Sequence, residues 1–148
     1  MQDADGGPAL FRLVRFWSRR WARGVAVGGA GETTLVQDVL TVNAVATCVA
    51  DDREGATVGD VGRQLGIDQS GASRMVAGAV ERGYVERRRA SSDARRAVLG
   101  MTSAGRELIA SSEQWQRGVF DELTFGWDAE DRERFAAYLQ RLARQVGA

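Results

Sequence analysis

The sequence of 148 residues contains no histidine and no lysine, and it has a single cysteine, Cys48, and a single proline, Pro8. The missing histidine removes the commonest general base and the commonest metal ligand of proteins. One cysteine excludes an internal disulfide and a cysteine-rich metal site. An enzyme would have to work with carboxylates, tyrosine or arginine, and no acid pair can be placed in a pocket. We therefore expect neither an enzyme nor a bound metal or cofactor.

Long hydrophobic runs are also missing. No window approaches the roughly 18 uninterrupted apolar residues that a membrane-spanning helix requires, so we expect no membrane contact. The N-terminal stretch MQDADGGPAL is acidic and has no apolar core before a small-residue cleavage site, which argues against a secretory signal. We expect a cytoplasmic protein, and the length fits one domain over residues 1–148.

Neither sign of charge is in excess over the whole chain, because twenty arginines balance twenty acidic residues. The distribution along the chain is uneven. Between residues 57 and 106 there are nine arginines and five acids, a local net charge of +4, so the remainder carries −4. A single basic surface is enough to attract nucleic acid, whatever the net charge of the whole protein.

Helical periodicity dominates both ends of the chain. Near the N-terminus, apolar residues at helical spacing predict an amphipathic helix carrying Leu10, Leu13, Val14, Trp17 and Trp21. An apolar helix follows, starting at Thr34 or near Thr41, with Asp38 as its isolated charge. A long helix runs from Ser103 to about residue 125, and Asp128 caps a last amphipathic helix.

The middle of the chain predicts two short helices and a hairpin. Thr57 can cap the first helix and Gly66 can end it, while Asp68 can cap the second, which Gly83 closes. Two short helices joined by a tight turn are typical of a helix-turn-helix. The segments YVERRR and RAVLGM, separated by ASSDAR, predict two strands, and Thr102 caps the helix after them. The predicted fold is mostly α with a small β-hairpin.

Polar and basic side chains gather at the start of the second short helix and on the hairpin. A helix fits the major groove of DNA, and amide, hydroxyl and guanidinium groups suit base edges and phosphates. The candidate DNA-binding residues are Gln69, Ser70, Ser73 and Arg74 on the helix and Arg87, Arg88, Arg89, Arg95 and Arg96 on the hairpin. Side chains alternate along a strand, so at most two of the three consecutive arginines can face one partner.

The stretch DARRAVLGMTSAG, residues 93–105, resembles the signature D-x-R-x5-L-T-x-x-G of the MarR family of bacterial transcription regulators, with Met101 in place of leucine. The upstream text TVGDVGRQLGIDQSGASRMV is similar to the helix-turn-helix of that family at the same spacing. The resemblance implies a winged helix-turn-helix over residues 57–101. It also implies flanking dimerisation helices over residues 8–30 and 103–147.

The same resemblance implies a homodimeric DNA-binding regulator, and we expect a repressor, on a pseudo-palindromic operator. A recognition helix at about 68–83 enters the major groove, and an arginine-rich wing at about 84–101 lies beside it. Gly71 joins the DNA-binding residues of the helix. Arg95 is the wing arginine, and Asp93 orients it by a charge-assisted hydrogen bond.

Some positions depart from the family's pattern. Gly71 and Gly78 lie where the family more often has larger residues, and each glycine costs a helix about 1 kcal/mol relative to alanine. We therefore predict a marginally stable recognition helix. Ala94 stands where a second arginine is common, so backbone contacts by Arg87 to Arg89 are better supported than a minor-groove contact by Arg95.

Three alternatives stay open. Trp17, Trp21, Trp115 and Phe120 either line a pocket for a small aromatic or phenolic effector, as the family binds, or belong to the core and dimer interface. Cys48 lies among apolar residues, which favours a buried, inert thiol over a redox switch. The alternative function is a winged helix that docks onto a protein partner and binds no DNA.

Overall fold

The protein is described by a computed structural model over residues 5–24, 32–50 and 54–147, with side chains over residues 5–18, 34–50 and 54–147. Within these ranges the elements are α1 (Gly6–Gly24), α2 (Glu32–Ala50), α3 (Val58–Leu65), α4 (Gln69–Glu81), β1 (Val85–Arg89), β2 (Ala97–Met101), α5 (Ser103–Leu123) and α6 (Ala129–Val146). The predicted order of elements and the predicted fold, mostly α with one small hairpin, are confirmed.

Contacts divide the chain into two compact units, Met1–Ser112 and Glu113–Ala148. The first unit holds helices α1 to α4, the hairpin and the first part of α5. The second unit holds the remainder of α5 and α6. The predicted helix-turn-helix and hairpin therefore lie together in the first unit.

The core of the first unit lies between α2, α3, α4 and the hairpin. Its buried side chains are small and mostly β-branched, and they include Val42, Val45, Val61, Val76, Ala79, Val85 and Leu99. On α4, Ala72, Val76 and Ala79 are buried at helical spacing, whereas Met75 is half-buried. Burial of this face leaves the opposite face of α4 to solvent.

The two short helices are capped as the sequence predicts. The Thr57 hydroxyl accepts the backbone N–H of Asp60 (3.1 Å), and the Asp60 carboxylate accepts the N–H of Thr57 (2.8 Å). Gly66 ends α3 with a positive φ of 64°. Asp68 caps α4 by accepting the N–H of Gly71 at 2.7 Å. These bonds satisfy backbone donors that a helix start leaves unpaired, and they fix the turn between the two helices.

The hairpin is antiparallel, with Val85 opposite Met101. Ala56, from the segment between α2 and α3, bridges the outer edge of β2, because its N–H donates to the Leu99 carbonyl (3.1 Å) and the Leu99 N–H donates back (2.7 Å). A Cβ on Gly55 would lie 2.8 Å from that same Leu99 oxygen, so a side chain there would force the strands apart. The β2 strand of the hairpin is thus joined to the segment that precedes α3.

The start of α5 is tied to the end of α4. Thr102 caps α5, as predicted, by accepting the N–H of Gly105 at 3.1 Å. The Thr102 hydroxyl donates to the carbonyl of Gly83 at 2.6 Å, and Gly83 follows α4 with a positive φ of 82°. The Thr102 N–H also donates to the carbonyl of Tyr84 at 3.2 Å. One threonine therefore joins α5 to the junction between α4 and β1.

One helix boundary and one cap differ from the prediction. The predicted start of α2 at Thr34 or Thr41 is wrong, because the helix begins at Glu32. The Thr41 hydroxyl donates to the carbonyl of Gln37 at 2.7 Å, which is the back-bonding of a threonine inside a helix and not of a cap. Asp128 occupies the N-cap position of α6, but its side chain makes no capping hydrogen bond. Residues 25–31, between α1 and α2, lie outside the described residues.

Both terminal helices expose apolar side chains. On α1 they are Leu10, Phe11, Leu13, Val14 and Phe16, and on α6 they are Tyr138, Leu139, Leu142 and Val146. Among the helices of the described ranges, none has both the length and the apolar composition needed to cross a membrane. Exposed apolar faces of this size are typical of surfaces that associate with another protein.

Candidate nucleic-acid interface

The first turns of α4 present polar side chains to solvent. Gln69, Ser70, Ser73 and Arg74 are exposed, and the cap by Asp68 fixes the turn that carries them. Arg74 Nη1 donates to Ser70 Oγ at 2.8 Å, one helical turn away. Residues four apart share a helix face, so Ser70 and Arg74 form one polar face that can donate to and accept from base edges.

The two glycines of α4 have neighbours that explain them. A Cβ on Gly71 would lie 2.8 Å from Asp68 Oδ1, the atom that caps the helix, and a Cβ on Gly78 would overlap Nη2 of Arg82. Each glycine leaves room for a contact that supports the helix, which offsets its cost of about 1 kcal/mol. Gly71 is half-buried and acts as a spacer. The marginal stability of α4 stays a prediction. It was inferred from the cost of the two glycines alone, without the contacts that their small size permits.

The three consecutive arginines of β1 are all exposed but differ in their partners. Arg88 Nη2 donates to the carbonyl of Glu54 at 3.1 Å, and Arg89 Nη1 donates to the carbonyl of Ala94 at 3.1 Å. Arg87 makes no hydrogen bond or ion pair within the described ranges. Strand alternation places Arg87 and Arg89 on one face of the hairpin and Arg88 on the other.

The turn of the hairpin is ordered by Asp93. Its carboxylate accepts the backbone N–H of Arg95 at 3.0 Å, and its carbonyl accepts the N–H of Arg96 at 3.0 Å. The bond from Asp93 goes to the backbone of Arg95 and not to its guanidinium, so Asp93 orients the turn rather than the charged end of the arginine. Among the residues that the structure describes, the Arg95 guanidinium has no partner and is free to bind an external anion.

Glu54 belongs to this site and was missed by sequence reasoning. Its carboxylate accepts the N–H of Ser92 (2.9 Å) and the Ser92 hydroxyl (2.7 Å) at the hairpin tip. The Ser92 hydroxyl is the main cause that holds the pKa of Glu54 below its ordinary value, and the nearby positive charge of Arg96 adds to it. Glu54 and Ser92 are 38 residues apart, and a glutamate in a loop gives no sequence signal for such a contact.

The Glu54–Ser92 contact is expected to open only in acid. The hydrogen bonds from Ser92 favour the carboxylate, so the contact is fully present above pH 4.5 and is lost as the pH falls through the lowered pKa of Glu54. An NMR titration of the Ser92 amide should show a midpoint below 4.5. In Glu54→Gln the same amide should show no such titration. A midpoint at or above 4.5 in the unaltered protein contradicts the contact.

A second contact that the sequence did not reveal lies at the far end of α4. Arg82, its C-cap residue, donates from Nε and Nη2 to the two carboxylate oxygens of Asp38 on α2, both at 2.6 Å. Asp38 is 1% exposed, and its carboxylate raises the pKa of Arg82 further above the usual range. The sequence contained one indication of this contact, the isolated charge of Asp38 in an apolar helix, because a buried charge requires a partner.

Of the four residues predicted for an effector pocket, Phe120 lines a cavity. This open cavity of about 440 Å³ in the second unit is lined by Glu113, Gln116, Arg117, Phe120 and Asp121. Trp115 is half-buried and is not among the lining residues. In the first unit, Trp17 packs edge-on against Phe16 with ring centroids 5.6 Å apart. The side chain of Trp21 lies outside the described residues.

The remaining sequence predictions concern the single cysteine and metal binding. Cys48 is buried, 7% exposed, within the core of the first unit, where the sequence pattern places it. The described ranges contain no group of three or more side chains able to hold a metal ion.

Comparisons with known proteins bear on the whole arrangement. Residues 32–96 match the sequence model of the MarR family, and no curated protein gives a significant sequence match. S. aureus MepR bound to ethidium bromide is similar with a TM-score of 0.62 and 17% identity, covering 95% of this chain and 96% of that one. The S. aureus MepR–DNA complex gives 0.61 and 17%, covering 94% and 98%. BldR from Sulfolobus solfataricus gives 0.61 and 17%, covering 97% and 99%.

Two capped helices, α3 and α4, form a helix-turn-helix, and a hairpin follows them. The hairpin is bridged through Leu99 to Ala56, in the segment before α3. This arrangement defines the winged helix-turn-helix class of protein. Within that class the chain has the fold of the MarR transcription regulators, and residues 32–96, from α2 to the hairpin tip, carry the sequence pattern of the family. The resemblance to the MarR family is confirmed by that central sequence and by the fold.

Proposed function

We propose that the protein is a homodimeric transcription regulator, a repressor, that binds a pseudo-palindromic operator in double-stranded DNA. In this proposal α4 is the recognition helix in the major groove, and the hairpin is a wing on the adjacent backbone or minor groove. Residues 1–148 act as one MarR-like domain that works in the cytoplasm and catalyses no reaction. The wing and the recognition helix together form the DNA-binding surface.

One observation carries the proposal. The first unit presents the exposed polar tip of α4 together with the guanidinium groups of Arg87 and Arg95, which have no partner in the described part of the chain. Such groups can neutralise phosphates without breaking an internal bond, and Arg74 is exposed at the position where a recognition helix meets bases. The similar MepR structure was determined in complex with DNA, which supports the same use of this fold.

The homodimer is supported by the exposed apolar faces of the terminal helices. Phe11 is 65% exposed and Val14 is 55% exposed on α1, while Tyr138 is 63% exposed and Val146 is 71% exposed on α6. A second copy that covers these faces would remove apolar area from water, which favours association. A dimer would also present two recognition helices about 34–36 Å apart, one turn of DNA. Sedimentation equilibrium measures the association directly.

A small aromatic effector that releases DNA is the remaining part of the proposal. Phe120 lines the open cavity of about 440 Å³ together with Glu113 and Asp121. A similar structure, MepR, holds ethidium, a cationic aromatic compound. Titration calorimetry with phenolic and cationic aromatic compounds tests whether the second unit binds such ligands.

Selection of binding sites from randomised duplex DNA tests the DNA-binding function. The selected duplexes should share a pseudo-palindrome, and the logarithm of the affinity should fall linearly with the logarithm of salt concentration, by about 0.9 for each phosphate neutralised. A folded protein that enriches no sequence and binds no duplex at low salt would contradict DNA binding, and capture of a protein partner would then favour the protein-docking alternative.

Two arginines should carry measurable parts of this binding. Arg74→Ala is expected to weaken binding of the selected duplex by about tenfold, because a lost base contact costs about 1–3 kcal/mol. Arg95→Ala should weaken binding of all duplexes alike and lower the salt slope by about 1. Fluorescence anisotropy measures both effects.

Arg134→Ala is the matched control. It removes the same charge from α6, where Arg134 pairs with Glu130 on an exposed surface, and it should leave the affinity for duplex unchanged. Binding by Arg74→Ala equal to that of the unaltered protein would remove Arg74 from the interface, and the same result for Arg95→Ala would remove the wing tip.

A further inference from the structure

We propose that the ion pair between the buried Asp38 and Arg82 positions the recognition helix, so that Asp38, Arg82 and Gly78 set DNA affinity without touching DNA. For its DNA readout this inference rests on the proposed function. It assigns to Arg82 a role different from that of the other arginines between residues 57 and 106, which it resembles in sequence.

The ion pair fixes one end of α4. Arg82 is the C-cap residue, its backbone N–H donates to the carbonyl of Gly78, and its guanidinium donates to both carboxylate oxygens of Asp38. A two-point bond of this kind determines an angle as well as a distance. Asp38 lies next to Val39 on α2, and Val39 has no exposed surface, so the anchor is part of the core. The Asp68 cap at the other end bonds to Gly71 of the same helix, so it orders that end without tying it to α2.

Arg82 is poorly placed to serve DNA instead. It follows the last turn of α4, whereas Ser70 lies in the first turn and Arg74 in the second. Its side chain is 37% exposed, while that of Asp38 is 1% exposed. A phosphate contact would require the guanidinium to leave the Asp38 carboxylate buried and unpaired. Breaking a buried pair in this way is strongly unfavourable, so the arginine remains with Asp38.

Because Gly78 has no side chain, it leaves the space that the Arg82 guanidinium occupies when it binds Asp38. The Arg82 side chain folds back over the preceding turn of α4, and a Cβ on Gly78 would overlap its Nη2 atom. The guanidinium cannot move away from such a Cβ without breaking its two hydrogen bonds to Asp38, which are both 2.6 Å long. Gly78→Ala should therefore displace Arg82 from Asp38 while leaving both charges in the protein.

Small errors in the placement of α4 matter because base contacts are short and directional. The helix has 13 residues. At 1.5 Å per residue it is about 20 Å long, so a tilt of about 10° at one end moves the other by about 3 Å. A binding constellation must be held within about 0.5 Å of its productive geometry. Loss of the anchor at Arg82 should therefore misplace the polar tip of α4.

The DNA experiment compares three variants on the selected duplex, at a temperature where circular dichroism shows each to be folded. Asp38→Asn and Gly78→Ala should each lower the affinity by about tenfold, the loss of one base contact. Val45→Ala is the control, because it removes core volume from the same helix α2 and leaves the ion pair intact. It should lower the melting temperature and leave the affinity unchanged.

A second measurement needs no DNA. Spin labels at the exposed positions Asn43→Cys on α2 and Ala77→Cys on α4, in a Cys48→Ala background, report the distance between the two helices by pulsed electron resonance. The unaltered pair should give one narrow distribution. Asp38→Asn and Gly78→Ala should broaden or shift it, and Val45→Ala should not.

The outcomes separate the two proposals. Label distances and affinities that are unchanged in folded Asp38→Asn and Gly78→Ala overturn the positioning role. If the unaltered protein selects no duplex, the proposed function fails, and the label distances alone decide whether the ion pair positions α4. Loss of affinity in Val45→Ala equal to that in Asp38→Asn would show that general destabilisation is the cause, and would also overturn the inference.

Discussion

Asp38→Asn is expected to lower the free energy of unfolding by about 2–3 kcal/mol. Removing one partner of a fully buried pair costs about 3–5 kcal/mol, because the other charge is left without compensation. The Arg82 side chain is 37% exposed, so water recovers part of that loss. Urea unfolding followed by circular dichroism measures the change, which should appear in the midpoint with little change in slope.

The Glu113–Arg117 pair supplies the control for this prediction. It joins the same two kinds of group at 2.9 Å, but Glu113 is 53% and Arg117 is 70% exposed. Exposed pairs four residues apart on a helix contribute about 0.3–0.5 kcal/mol, so Glu113→Gln should be nearly neutral. Equal losses in Asp38→Asn and Glu113→Gln would show that burial of Asp38 has no energetic consequence.

Gly105→Ala is expected to destabilise the protein by about 2 kcal/mol. A Cβ on Gly105 would overlap the carbonyl oxygen of Tyr84, which is backbone and accepts the N–H of Thr102. It would also lie 3.0 Å from Cγ of Met101. Overpacking of this kind costs about 1–3 kcal/mol. The cost lies at the upper end of this range because backbone atoms must move. The better helix propensity of alanine offsets about 1 kcal/mol of it.

Gly118 provides the matched substitution on the same helix. A Cβ at Gly118 meets no atom within 4 Å, and the position is exposed. Gly118→Ala should therefore raise the free energy of unfolding by up to about 1 kcal/mol. The two alanine variants of α5 are expected to differ in sign, and chemical denaturation measures both. Stabilisation by Gly105→Ala would mean that α5 does not approach Tyr84 closely.

The local parts of the fold could be predicted from the sequence because their causes are local. Thr57, Gly66, Asp68 and Thr102 each bond or turn within a few residues, and each acts at the helix end where the pattern places it. The start of α2 could not be read in the same way. Thr34 and Thr41 have the side chains of a cap, but Thr41 bonds to Gln37 from inside the helix.

Sequence patterns could not identify the partners in the contacts that support the candidate interface, because these contacts join distant segments, although the isolated charge of Asp38 indicated that it needs a partner. Arg82 and Asp38 are 44 residues apart. In the sequence Arg82 looks like any other arginine of the basic segment, and Gly78 looks like a weakness of the helix. Only the folded arrangement shows that the glycine makes room for the arginine. The exposed residues of α4 and the wing were accessible to prediction because exposure follows from helical and strand periodicity.

The hydroxyl of Thr102 serves two backbone segments at once, since it donates to the carbonyl of Gly83 and accepts the N–H of Gly105. The start of α5 and the turn that closes α4 therefore depend on the same side chain. Its removal would leave an acceptor at one helix end and a donor at the other without this partner, so a single substitution would weaken two helix ends together.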